Sequence, residues 1–231
     1  YRPRARQARP GSPRSGSAIY AGIDLMRCST QQLQAIRGQK IALIFQDPMT
    51  ALNPLHQVEN IVGEVLLLQG CSKPLVRQKV LQLLLDVGLS SPEQILKRYP
   101  HQLSGGMRKR VALAQMLILD PQLLLMDEPF SALDVQTRQL MENELLALWS
   151  ANRKSVLFIT HDLEEAISLS DRVVVLSAGP GTRPIGDFVI DLPRPRDVSE
   201  VRLQPRFLAL HAQIWHAMKE EVMKAYVQQT R

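Results

Sequence analysis

The chain has 231 residues, of which 45% are hydrophobic and 22% charged, so it is long enough to bury the core of one domain. It contains no apolar run of the ~18 residues that a membrane-spanning helix needs. Two cysteines are too few for a disulfide framework, which favours a reducing, cytoplasmic setting.

The net charge of +6 is concentrated in residues 1–18, which contain five arginines and no acidic residue. The remaining 213 residues carry 23 basic and 22 acidic side chains, a balance that argues against nucleic acid as a partner of the folded part. The Arg- and Pro-rich segment 1–18 is predicted to be a disordered tail, and an arm that binds nucleic acid is the weaker interpretation of it.

The first predicted elements are a strand and several helices. Residues 40–45 are predicted to form a short buried strand, and residues 57–69 and 74–87 to form helices, since their apolar side chains recur at helical spacing. Ser91, in Ser-Pro-Glu-Gln, resembles the start of a capping box and is expected to cap another helix. We expect these helices to form a subdomain over about residues 57–106.

After residue 122 the pattern changes to short apolar strands alternating with helices. The predicted strands are 123–126, 155–160, 172–177 and an edge strand at 185–192, and the predicted helices are 135–150, 163–168 and one beyond residue 205. Such alternation predicts an α/β fold with a largely parallel sheet.

Two adjacent carboxylates, Asp127 and Glu128, follow the predicted buried strand 123–126. Ligands of open parallel sheets bind at the carboxyl ends of strands, and neighbouring strand residues point in opposite directions, so the two acids can have different roles. Asp127 could hold Mg²⁺, which prefers oxygen ligands, and Glu128 could polarise an attacking water. Taken alone, the pair is equally typical of a strand that ends in a solvated turn.

Ser104, Gly105 and Gly106 precede a predicted helix over residues 107–119. A hydroxyl, free N–H groups and the positive end of the helix dipole at one place form an anion site, which the two glycines leave open to phosphate. The alternative is an ordinary serine N-cap followed by flexible glycines.

Three further polar residues follow or precede predicted elements. Gln46 follows the first strand, where its amide could orient a water or contact a metal, although a turn glutamine is the simpler interpretation. His161 follows the strand 155–160 and could reach a terminal phosphate, or could be a surface histidine. Asp134 could cap the next helix, lie at a subunit junction, or do both.

Together and in this order, these motifs resemble the nucleotide-binding domain of ABC transporters. They correspond to that family's Q-loop (Gln46), LSGG segment, magnesium aspartate and catalytic glutamate (Asp127, Glu128), D-loop and switch histidine (His161). The resemblance implies an α/β, P-loop-NTPase-like ABC ATPase core over residues 19–198, with a helical extension at 199–231.

The resemblance also implies a mechanism with ATP and Mg²⁺. Glu128 would be the general base, His161 would contact the γ-phosphate, and Asp127 and Gln46 would serve Mg²⁺ and the attacking water. Two such subunits would meet head to tail, so that Ser104, Gly105 and Gly106 hold the ATP of the partner and Asp134 links the two sites. All of these roles are implied by the resemblance to the family.

The implied partners are a second nucleotide-binding subunit, identical or different, and the transmembrane permease subunits of a bacterial importer. A substrate-binding protein would take part indirectly. The subunit would lie in the cytoplasm, peripheral on the inner face of the membrane.

One family motif is absent from the 231 residues. The P-loop pattern G-x-x-x-x-G-K-[S/T] does not occur before Gln46, and the only lysine followed by serine or threonine is Lys154. We therefore expect an N-terminally truncated core. The alternative function is a truncated or degenerate subunit without its own ATP site, which acts only as a binding or docking module.

Two parts of the chain resemble different importer branches. Residues 44–106 resemble the dipeptide and oligopeptide branch, whereas residues 107–198 resemble the nitrate, sulfonate and taurine branch. The cargo is therefore left open.

Overall fold

The computed structural model describes residues 16–37, 39–44, 52–131, 133–178 and 181–229. Most of the predicted tail, and Gln46, lie outside these residues. The elements in chain order are β1 (Ile19–Tyr20), β2 (Ile23–Asp24), α1 (Thr30–Ile36), β3 (Ile41–Ile44), α2 (Val58–Leu68), α3 (Lys73–Asp86), α4 (Pro92–Leu96), α5 (Gly105–Leu117), β4 (Leu123–Asp127), α6 (Val135–Asn152), β5 (Ser155–Ile159), α7 (Leu163–Leu169), β6 (Arg172–Leu176), β7 (Pro184–Val189), α8 (Val198–Val201) and α9 (Pro205–Gln229).

Within the described residues, β3, β4 and β5 form a parallel sheet with β4 in the centre. The register places Met126 beside Ile44 on one side and beside Phe158 on the other. Since the strands are parallel, their carboxyl ends meet at one edge, where Asp127 lies opposite Ile159. This edge is where the sequence predicts the functional residues.

One face of this sheet is packed and the other is open. Ala42, Ile44, Leu124 and Met126 point into a core that also contains residues of α6. On the opposite face Leu43, Leu157 and Ile159 are 41%, 57% and 54% exposed. Parallel sheets usually have both faces covered. The exposure of apolar side chains on one face is therefore unusual for a parallel sheet.

Helices α2 to α5 share a second core. Its fully buried side chains include Val58, Val62, Val80, Leu84 and Val111. The helices approach closely at Gly63, where an added Cβ would lie only 2.6 Å from Cγ1 of Val76.

The start of α4 differs from the prediction. Ser91 lies in the left-handed region, with φ of 57°, and its side chain makes no capping hydrogen bond. The capping box expected there is wrong, because in this conformation the serine side chain does not reach the N–H groups of the first turn.

The third core joins α7, the antiparallel pair β6–β7 and α9. Phe207, Leu210 and Ile214 of α9 pack with Ile167 and Val173. None of the described helices combines the length and the apolar character needed to span a membrane.

The buried side chain of Arg196 connects these elements. Its guanidinium donates to the carbonyl oxygens of Ser170 and Leu192 at 2.7 and 2.8 Å, and more weakly to three others, which belong to Ile167, Ser168 and Ile190. One arginine therefore satisfies backbone groups at the ends of both α7 and β7.

Candidate functional site

The acidic pair lies at the carboxyl end of the central strand. Asp127 is the last residue of β4 and is exposed. Glu128 adopts φ of 46°, and its N–H donates to the carbonyl of Ile159 at 2.9 Å. A glutamate in the left-handed region is uncommon, and such backbone strain tends to occur at functional sites.

His161 and Glu128 are in contact. Nδ1 of His161 lies 3.0 Å from Oε1 of Glu128, so a protonated Nδ1 can donate to the carboxylate. The histidine side chain is 72% exposed and the glutamate side chain 26%. The structure thus brings together two residues that are 33 positions apart in the sequence, and leaves the imidazole open to a ligand.

The turn that follows Glu128 is tied back to it. The hydroxyl of Ser131 donates to the carbonyl of Glu128 at 3.0 Å. Asp134 caps α6 by accepting from the N–H of Thr137 at 3.0 Å, which confirms the capping interpretation. The hydrogen bond from the Thr137 backbone lowers the pKa of Asp134. The proposed junction role of this exposed carboxylate stays a prediction.

Ser104 caps α5, where its hydroxyl accepts from the N–H of Met107 at 3.3 Å. A Cβ at Gly105 or Gly106 would meet no atom within 4 Å apart from the neighbouring residues and backbone of its own helix. The first N–H groups of a helix have no acceptor inside it. At this helix start Ser104 accepts from Met107, and the space beside the two glycines is open. This geometry supplies the ordinary cap and is also suited to receiving an anion.

The described side chains can hold Mg²⁺ only if water and the phosphates of a bound nucleotide supply the other oxygen ligands. Among the described residues no group of three or more His, Cys, Asp or Glu side chains could hold a metal ion. Mg²⁺ commonly takes one or two carboxylates and completes its shell with water and substrate phosphates. The exposed carboxylate of Asp127 suits that arrangement, whereas Gln46 lies outside the described residues.

Arg138 and Asp162 form an ion pair that the sequence analysis missed. Nη1 of Arg138 donates to Oδ2 of Asp162 at 3.2 Å, and Nη2 donates to the carbonyl of Leu133 at 3.1 Å. A signal existed, since Asp162 follows His161 directly and Arg138 lies one helical turn after Asp134. The pairing itself joins α6 to the residue before α7, which are distant in sequence.

Two buried acids were also missed. Glu142 is 0% exposed and Glu165 is 4% exposed. Burial raises the pKa of Glu142 to about 7, and burial raises the pKa of Glu165 as well. Arg202 lies 3.4 Å from Oε2 of Glu142 and offsets part of its desolvation.

Comparison with known proteins identifies the family. The profile of the ABC transporter family matches residues 8–131, which is more than half of the chain. The chain belongs to the ABC transporter family. It is 45% identical over 166 residues to the peptidoglycan transport ATP-binding protein YejF of Agrobacterium fabrum, a match that covers 71% of this chain and 30% of that protein.

A second relative in the ABC transporter family is the dipeptide transport ATP-binding protein DppD of Bacillus subtilis. It is 43% identical over 169 residues, which cover 71% of this chain and 49% of the relative. The chain therefore spans half or less of the length of these two ABC relatives.

A solved ABC structure supports the fold. The dimeric ATP-binding cassette MJ0796, in a post-hydrolysis state with ADP and Pi bound, superimposes with a TM-score of 0.60 at 29% identity, over 71% of this chain and 70% of that one. The predicted α/β, P-loop-NTPase-like ABC ATPase core is confirmed.

Proposed function

We propose that this chain is an ATP-binding, ATP-hydrolysing subunit of an ABC-type importer, which couples hydrolysis at a head-to-tail dimer interface to transport through a membrane permease. The observation that carries the proposal is the contact of His161 with Glu128 at the carboxyl end of β4, beside Asp127. A base, a phosphate-contacting imidazole and a metal-binding carboxylate are groups that can catalyse transfer of a phosphoryl group to water.

In the proposed reaction Glu128 accepts the proton of the water that attacks the γ-phosphate. Its carboxylate is held by His161 at 3.0 Å, and its backbone N–H is held by Ile159 at 2.9 Å, so little reorientation is needed. His161, which is 72% exposed, contacts the γ-phosphate. Asp127 and Gln46 would hold Mg²⁺, which supplies charge neutralisation when bound.

The proposed second half of each ATP site comes from a partner subunit. Ser104, Gly105 and Gly106 bind the ATP held by the partner through the open helix start, where the N–H groups and the dipole favour an anion. Asp134 links the two sites. The dimeric state of the MJ0796 cassette supports this arrangement.

The proposed domain organisation assigns the permease contact to the helical part, about residues 57–106, within the core 19–198. A peptide-type permease is supported by the likeness to the dipeptide transport protein DppD. The resemblance of residues 107–198 to the nitrate, sulfonate and taurine branch points to another cargo class. The subunit would be peripheral on the inner face of the cell membrane, with residues 199–231 as a helical extension.

ATP hydrolysis by the purified chain, alone and mixed with an intact nucleotide-binding subunit of a peptide importer, tests the proposal. We expect Glu128→Gln to lower the rate by about 10²–10⁴-fold, since it removes the general base. The exposed Glu200→Gln on α8 is the matched control and should keep the wild-type rate.

The same experiment distinguishes an ATP-hydrolysing subunit from a docking module that has no ATP site of its own. Hydrolysis that appears only in the mixture, persists in Glu128→Gln and is lost in Ser104→Arg would support the alternative, in which the chain completes the ATP site of a partner and has none of its own. Absence of hydrolysis stimulated by this chain in either format would overturn the proposed enzymatic function.

A further inference from the structure

The side chain of Arg138 spans two segments of the candidate site. From α6, Nη1 donates to Asp162, the residue after His161, at 3.2 Å, and Nη2 donates to the carbonyl of Leu133 at 3.1 Å. Only 26% of the arginine side chain and 32% of the aspartate side chain are exposed. The contact is therefore partly shielded from solvent, which strengthens it relative to a surface pair.

Asp162 fixes the backbone on both sides of His161. Its Oδ1 caps α7 by accepting from the N–H groups of Glu164 and Glu165 at 2.9 and 3.1 Å. Its own N–H donates to the hydroxyl of Thr160 at 3.0 Å. Because His161 lies between Thr160 and Asp162, the position of the aspartate sets the position from which the imidazole reaches Glu128.

These contacts close a ring. His161 contacts Glu128, whose carbonyl accepts from the hydroxyl of Ser131. Leu133 is joined to this turn because its N–H donates to the carbonyl of Phe130 at 3.1 Å. Its own carbonyl accepts from Arg138, which returns through Asp162 to His161. Each member of this ring is hydrogen-bonded to the next or is its neighbour in the chain.

We propose that Arg138 is a positioning residue, which through Asp162 holds His161 against Glu128 and couples that contact to the turn containing Ser131 and Leu133. The effect of Arg138 on catalysis rests on the proposed function. The effect of Arg138 on the position of the His161 ring is independent of that function.

Arginine is required here because it serves two acceptors at once. The planar guanidinium presents diverging donors, whereas a lysine ammonium is a point charge on a flexible stem. Arg138→Lys keeps the charge next to Asp162 and the buried acids Glu142 and Glu165, but cannot bridge both acceptors. Comparison of Arg138→Lys with Arg138→Met therefore separates the effect of charge from the effect of bridging.

The direct test is nuclear magnetic resonance of the histidine side chains in the full chain, with the His161 signal assigned from its loss in His161→Gln. We expect Arg138→Met to move the His161 ring signals by an amount comparable to Glu128→Gln, and Arg138→Lys to produce a smaller displacement. The control Arg206→Met, which removes the 2.8 Å pair with Asp191, should leave them unchanged.

Unchanged His161 ring signals in a folded Arg138→Met chain would overturn the inference. If that variant does not fold, Asp162→Asn replaces it, since asparagine can still cap α7 but loses the charge that Arg138 binds. Asp162→Asn must then displace the His161 signals, and unchanged signals would contradict the inference in the same way.

ATP hydrolysis provides the second readout. Misplacement of His161 by about 1 Å is expected to lower kcat by about 10²-fold in Arg138→Met, with KM altered less than kcat and with partial recovery in Arg138→Lys. An unchanged kcat in an active enzyme would contradict positioning. If the wild-type chain does not hydrolyse ATP, the proposed function fails, while the ring signals still decide the role of Arg138.

Discussion

At the residue scale, the buried carboxyl of Glu142 makes stability dependent on pH. Burial raises its pKa to about 7 from an ordinary value of 4.5, so the folded state binds the proton more tightly than the unfolded state. The contribution of this proton to the free energy of unfolding is complete below pH 4.5 and is lost as the pH rises through 7. The full loss corresponds to about 3 kcal/mol.

We therefore expect the urea unfolding free energy to fall between pH 5 and pH 8, and Glu142→Gln to flatten that fall. Exposed Glu200→Gln is the control and should keep the slope of the wild-type chain. A slope that is the same in Glu142→Gln would contradict the assignment of the proton to this carboxyl.

Helix capping could be predicted from the sequence because it depends on near neighbours. Asp134 and Ser104 cap the helices that follow them, because the acceptor and the N–H lie three residues apart. The meeting of Glu128 with His161 follows from parallel strands that end at one edge. Arg138 and Asp162 are 24 residues apart, so their places near Asp134 and His161 mark each of them as a candidate but do not predict that they pair.

At the element scale, α7 and β7 depend on one buried guanidinium. Only 1% of the Arg196 side chain is exposed, and it satisfies carbonyl groups at both element ends. Burial lowers its pKa to about 10, so it stays charged at neutral pH. Its removal leaves several carbonyl oxygens without a donor.

Arg196→Met is expected to destabilise the chain by about 3 kcal/mol or more, since each unsatisfied buried acceptor costs about 1–3 kcal/mol. Arg172→Met removes an exposed ion pair with Asp187 and should change the unfolding free energy by about 1 kcal/mol at most. Chemical denaturation of both variants measures the difference. Equal effects would show that the carbonyl contacts of Arg196 contribute no more than a surface pair.

Element boundaries were predicted within a few residues where periodicity was clear, as in α6 and α9. The prediction failed at the start of α4, where Ser-Pro-Glu-Gln suggested a capping box. The left-handed conformation of Ser91 is set by how the chain enters the helix, and the four-residue pattern does not report it.

At the scale of the whole molecule, the alternation of strands and helices predicted the α/β fold, and the ABC relationship confirms it. The division of the strands between a parallel and an antiparallel sheet could not be predicted. Residues 172–176 are as apolar as β5, yet among the described residues they pair with β7 in an antiparallel sheet rather than with the parallel one. Strand partners depend on contacts distant in sequence, which hydropathy alone does not encode.

The open face of the parallel sheet is expected to bind apolar molecules. Leu157 and Ile159 are more than half exposed, and apolar surface of this kind binds hydrophobic molecules. We expect the folded chain to enhance the fluorescence of an apolar dye such as ANS, and Leu157→Gln with Ile159→Thr to reduce that enhancement. Leu208→Gln, on an exposed position of α9, is the control. Equal fluorescence in all three proteins would contradict the location of the surface.

The most direct measurement is an experimental structure of the Glu128→Gln variant with ATP and Mg²⁺. The substitution is expected to slow hydrolysis, so that the nucleotide stays bound. We expect a head-to-tail pair in which one γ-phosphate lies within hydrogen-bonding distance of His161 of one subunit and of Ser104 of the other. A nucleotide bound away from both residues, or a subunit arrangement that keeps Ser104 remote from the phosphate, would contradict it.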